Sequence, residues 1–145
     1  MLAIFERLYF AVKHRFEKDD GLVFKTVSLN DISGCKIEYR INCVCVNGYE
    51  SYLLSYSSNF HVVFENKKMV DVSVYKAFVK ELRVIVRDWR HNYSGSMLEG
   101  VMVSVFSSKP YCCVTCDNAF PDNIDAFYKL LDAYFGDLRK RSDVL

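Results

Sequence analysis

Two cysteine clusters and three histidines are the residues of this 145-residue chain whose types could do chemistry. Cys113-Val114-Thr115-Cys116 is a CxxC and Cys43-Val44-Cys45 a CxC, together four sulfurs, the number a structural zinc takes. If residues 111–116 form a strand, Cys113 and Cys116 point to opposite faces and cannot share an ion. The expectation is therefore buried thiols, since free cysteine behaves as a small apolar side chain, with a zinc site or a redox pair as alternatives. His14, His61 and His91 fall on different elements with no carboxylate at a suggestive spacing. A Cys–His nucleophile would have to assemble in space. No P-loop, GxGxxG, HExxH, GxSxG or EF-hand pattern occurs. The six glycines lie at turns or inside elements rather than in a phosphate-cradling loop. These patterns assign no catalytic residue, metal or cofactor.

Two surfaces stand out. Lys76, Lys80, Arg83, Arg87 and Arg90 recur at intervals of four, three, four and three, which places five positive charges along one ridge of a helix. Such a ridge is a solvated face, a contact for an acidic partner, or a contact for RNA backbone. Asp122, Asp125, Asp132 and Asp137 of the last helix offer it an internal complement. The second surface is the outer face of a hairpin, where Arg40 and Asn42 are joined by Val44, Val46, Tyr49 and Leu53. A face expected to be polar that is half apolar is either covered by a helix or meets a partner. Tyr and Arg are types enriched at interface hot spots. The partner-binding candidates are Arg40, Tyr49, Leu53, Lys80, Arg83 and Arg87.

The elements that must carry these residues follow from periodicity. Leu2, Phe5, Leu8, Tyr9, Val12 and Phe16 form one stripe of an amphipathic helix over residues 2–18, ended by Gly21. Leu22–Leu29 reads as a strand and Asn30-Asp31-Ile32-Ser33-Gly34 as a turn. Cys35, Ile37, Tyr39, Ile41, Cys43 and Cys45 then alternate with Lys36, Glu38, Arg40 and Asn42, a strand with one buried face. Asn47-Gly48 closes a two-residue hairpin, which sets Val46 opposite Tyr49, Cys43 opposite Tyr52, Ile41 opposite Leu54 and Tyr39 opposite Tyr56. Phe60, Val62 and Phe64 suggest a strand before a turn at Glu65-Asn66-Lys67-Lys68, and Met69–Val72 a short strand after it. The period turns helical from Ser73 to about His91, with Val74, Phe78, Leu82, Ile85 and Trp89 as its stripe. Met97–Phe106 and Tyr111–Cys116 form a second hairpin across Ser107-Ser108-Lys109-Pro110. A last helix starts at Pro121 and Asp122, with Ile124, Phe127, Leu131, Tyr134 and Leu138 as its stripe. The order α-β-β-β(-β)-α-β-β-α predicts an α+β fold, a mainly antiparallel sheet with helices packed on it, in one domain over residues 1–145.

Nineteen Lys and Arg against eighteen Asp and Glu leave a net charge of +1. That balance argues against a general nucleic-acid binder and against an acidic nucleic-acid mimic. Glu6 and Arg7 interrupt the apolar N-terminal run, no A-x-A-like cleavage site follows, and no stretch is long enough for a membrane span, so a cytoplasmic location is expected. The element order resembles two groups of small bacterial cytoplasmic proteins. One is the toxin-immunity proteins of contact-dependent growth inhibition; the other is the type III secretion chaperones, with helix, three strands, helix, two strands, helix. The resemblance implies a non-enzymatic protein that binds one cognate protein: as an immunity protein, by occluding a toxin's active site. A secretion chaperone holding an effector, or a small Cys- or His-dependent enzyme, are the alternatives.

Overall fold

The computed structural model describes residues 21–30, 35–59, 63–95 and 101–140. The helix expected over 2–18, Phe60 and Val62 lie outside them. Within them the chain runs β1 (Leu22–Asn30), β2 (Cys35–Val46), β3 (Tyr49–Ser58), β4 (Phe64–Val70), α1 (Val72–Val86), β5 (Asn92–Ser94), β6 (Val101–Ser108), β7 (Tyr111–Asp117) and α2 (Ile124–Lys140). The seven strands make one sheet in the order β4-β3-β2-β1-β6-β7-β5, antiparallel throughout except for β5, which runs parallel to β7. The fold is α+β with a mostly antiparallel sheet.

The β2–β3 hairpin forms as its turn dictates. Asn47 (φ 51°) and Gly48 (φ 81°) both take the left-handed conformation that a tight hairpin turn demands. The register pairs Val46 with Tyr49, Cys43 with Tyr52, Ile41 with Leu54 and Tyr39 with Tyr56. Tyr39, Ile41, Tyr52, Leu54 and Tyr56 consequently share one buried face with Phe24 of β1 and with Val103 and Val105 of β6.

Both helices lie on that face. Phe24 meets Phe78 of α1 edge-on at 5.0 Å and Phe127 of α2 at 6.4 Å, and Tyr39 meets Phe135 of α2 at 5.2 Å. Tyr75 of α1 stacks on Tyr52 at 3.9 Å. Aromatic pairs of this kind add about 0.5–1.5 kcal/mol each beyond the area they bury. Asp71 caps α1 from an extended conformation, accepting from the Val74 amide at 3.2 Å and from the Ser73 hydroxyl, and these bonds hold its carboxyl below the usual carboxylate range.

Three expectations need correction. Glu65–Lys68 is not a turn: β4 runs straight through it, with Asn66 donating to the Leu138 carbonyl of α2 and Lys68 pairing with Asp137. As a sheet edge it is only partly covered, so its alternation is polar and looks like a loop. The second helix begins at Val72 and ends at Val86, short of His91, because Trp89 turns back onto Phe127 (5.3 Å) and the chain departs into β5. The second hairpin turns tightly at Lys109-Pro110, leaving Ser107 and Ser108 in β6.

Candidate functional site: two surfaces on opposite faces of the sheet

α1 and α2 lie side by side, and their facing positions are small. Ala77 of α1 and Ala126 and Ala133 of α2 leave an open groove of about 690 Å³ floored by Ile85 and Leu130. Val84 stands on its α1 side with 71% of its surface exposed. Lys80 and Lys129 border the groove, with Glu81 between the helices. Burial, a hydrogen bond to Glu81 and its charge push the Tyr134 phenol up, so it stays a neutral donor. Asn123 fixes the two helices at one end: its side chain donates to the Ile85 carbonyl at 2.8 Å and accepts from the Trp89 indole at 2.6 Å.

The basic ridge lies along α1. Lys76, Lys80, Arg83 and Arg87 are all exposed, with Arg87 just past the helix end and 3.4 Å from Asp88. Arg90 leaves the ridge and lies 4.7 Å over the Tyr93 ring. Two carboxylates of α2 are engaged elsewhere, Asp132 with Arg139 of its own helix and Asp137 with Lys68 of β4.

The opposite face of the sheet carries Arg40 and Leu53. They line a polar pocket of about 250 Å³ together with Glu38, Ser55, Glu65 and Lys67. Glu38, 8% exposed, is the hub: Arg40 stands 3.2 Å, Lys36 3.4 Å and Lys25 3.8 Å from its carboxylate. Glu38 is the buried member, so its removal, rather than that of any one of the three part-exposed cations, leaves charge uncompensated. Tyr49 sits apart at the hairpin tip, 77% exposed. The structure thus brings Arg40 together with Leu53, and Lys80 with Arg83 and Arg87, but separates the two sets by the thickness of the sheet.

The thiols are dispersed. Cys116 faces the helices, wholly buried, and burial pushes its thiol up to about 11. Cys113, one face away, points to the other side of β7, while Cys43 is half-buried and Cys45 exposed. Among the described residues no group of three or more His, Cys, Asp or Glu side chains gathers to hold a metal ion, and no helix is long and apolar enough to cross a membrane. His91 is half-buried beside β5; His14 and His61 lie outside the described residues. Sequence reasoning missed the groove itself and the Asn123 clasp. The spacing of Ala126 and Ala133, seven apart, was the available sign that α2 presents a flat strip beside its apolar stripe. In comparison with known proteins, the chain matches no family model and no curated protein.

Proposed function

We propose that this protein is a non-enzymatic binding protein of the immunity type, acting in the cytoplasm, which seats an acidic amphipathic segment of a cognate toxin domain in the groove between α1 and α2 and blocks the toxin by occlusion. The observation that carries this reading is the groove: an apolar floor, an exposed Val84, and Lys80 and Lys129 on its rim with Glu81, while Arg83 and Arg87 are exposed on the same helix outside its lining. Helix-in-groove recognition uses an apolar stripe for affinity and rim charge for encounter and orientation. Cys116 is wholly buried under the helices, out of reach of an incoming substrate, which agrees with a core role for that thiol.

The test is co-expression with a candidate toxin domain sought among the proteins encoded beside this one. The wild-type chain restores growth, and Val84→Glu, which puts a carboxylate on the groove wall, removes that protection while circular dichroism stays unchanged. Arg83→Glu with Arg87→Glu weakens toxin binding by more than about 2 kcal/mol in calorimetry. Cells that die as fast with the wild-type protein as without it rule the reading out.

A further inference from the structure

The sheet has two edges. One is the three-residue β5; the other is the seven-residue β4, beyond which no described strand lies. β4 is paired to β3 with Ser57 opposite Glu65, Ser55 opposite Lys67 and Leu53 opposite Met69. Val46 and Tyr49 flank a two-residue turn and form a hydrogen-bonded pair, so the odd-numbered residues of β3 bond to β2 and its even-numbered residues to the even-numbered residues of β4; the Lys67 amide donates to the Asn66 side chain at 3.0 Å. Hydrogen-bonding direction alternates along a strand, so the odd-numbered residues of β4 aim their main-chain groups away from the sheet. Those same residues carry an ordered sequence of outer-face side chains: Val63, 84% exposed, just before the strand, then Glu65, Lys67 and Met69, 49% exposed.

We propose that two copies of this chain pair along β4, antiparallel about a two-fold axis through Asn66, joining their sheets into one. Only registers that oppose odd-numbered residues let both edges exchange main-chain hydrogen bonds. Among these, an axis at Glu65 sets two carboxylates opposite each other and an axis at Lys67 sets two ammonium groups opposite each other. The axis at Asn66 sets Glu65 opposite the partner's Lys67, twice, and Val63 opposite the partner's Met69, twice. Opposite charges and apolar pairs directly across a ladder stabilise it, and like charges destabilise it. On the other face Phe64 meets the aliphatic stem of the partner's Lys68. An edge lysine ordinarily repels a stray strand; a second β4 in this register supplies a carboxylate opposite it. The Glu65–Lys67 pair within one copy, at 3.1 Å between two half-exposed side chains, exchanges for the intermolecular pairs, and the Asn66 side chain gives up the Lys67 amide. The assembly is isologous and closed, and it uses neither helix, so it leaves the α1–α2 groove open whatever that groove binds.

Sedimentation velocity across a concentration series gives a dimer for the wild-type chain. Glu65→Lys opposes lysine to lysine on both sides of the axis and weakens dimerisation about tenfold or more. Adding Lys67→Glu to it reverses both charges, restores the complement and returns the dimer. Asn66→Cys checks the register independently: residues paired on the axis form an intermolecular disulfide under mild oxidation, and Glu65→Lys in the same chain prevents it. Circular dichroism confirms folding of each variant, all of which change partly or fully exposed side chains. A wild-type chain that stays monomeric to about 1 mM overturns the proposal, as does a Glu65→Lys chain that dimerises as well as wild type.

Discussion

Gly136 stands inside α2 with no atom within 4 Å of where a Cβ would be, outside the helix's own backbone. Its helical backbone carries the entropic penalty of glycine without using its freedom. Gly136→Ala therefore stabilises the protein by about 0.5–1 kcal/mol, seen as a higher urea midpoint at unchanged slope. Gly21 has the opposite sign: its φ is +82° and a Cβ would run into the Cys43 carbonyl, so Gly21→Ala lowers that midpoint. Cys116 adds a pH dependence. Its folded thiol titrates near 11 against an ordinary 9.0 because burial disfavours the thiolate. The folded state then binds the proton more tightly than the unfolded chain. The stability this confers is complete below about pH 9 and falls as the pH rises toward 11, by roughly 2 kcal/mol. The buried tyrosines shift the same way, so the measurement is the difference between wild type and Cys116→Ala in urea unfolding at about pH 8 and about pH 10.5; an identical slope in both proteins removes the assignment. At this scale the alternation of β7 was legible: sequence spacing alone sends Cys113 and Cys116 to opposite faces. The burial that makes Cys116 inert was not, because it comes from helices far away in the chain.

Among the elements, the β2–β3 hairpin was readable to the last pair because its information is local. A positive-φ dipeptide fixes the turn, and a strict period of two fixes the face. β4 was illegible for the converse reason. Phe64-Glu65-Asn66-Lys67-Lys68 has turn composition, and only the ladder to β3 and the anchors on Leu138 and Asp137 make it a strand. β5, three residues long, exists by pairing with β7 and leaves no periodicity to read. The helix junction is also tertiary. Asn123 looks like an ordinary residue before a helix, yet it ties α2 to the end of α1 through both its amide atoms. Asn123→Ala costs about 1–2 kcal/mol, the net worth of two such bonds. Asn123→Asp keeps the bond from Trp89, loses the one to Ile85 and falls between, both read by thermal unfolding with Trp89 fluorescence as the local probe.

For the molecule as a whole, composition and element order gave the class, an antiparallel sheet with helices on it, but not the arrangement of its surfaces. The candidates Arg40 and Leu53 and the candidates Lys80, Arg83 and Arg87 share no face, since both helices cover one side of the sheet. Nothing in the spacing of residues tells which side a helix takes. The position of β1 has a different kind of consequence. It precedes the other strands in the chain yet lies mid-sheet, with β2 on one flank and β6 on the other, and Phe24 is in register with Ser107, 83 residues later (107 − 24). On a translating ribosome adding about 5–20 residues per second, one flank of β1 waits roughly 4–16 seconds for its neighbour. Through that interval the nascent meander displays a hydrogen-bonding rim that the finished protein conceals. A fragment ending at residue 95 therefore binds a holdase chaperone through that rim, whereas one ending at residue 140, in which β6 covers it, does not, a contrast that stalled nascent chains of the two lengths make measurable by cross-linking.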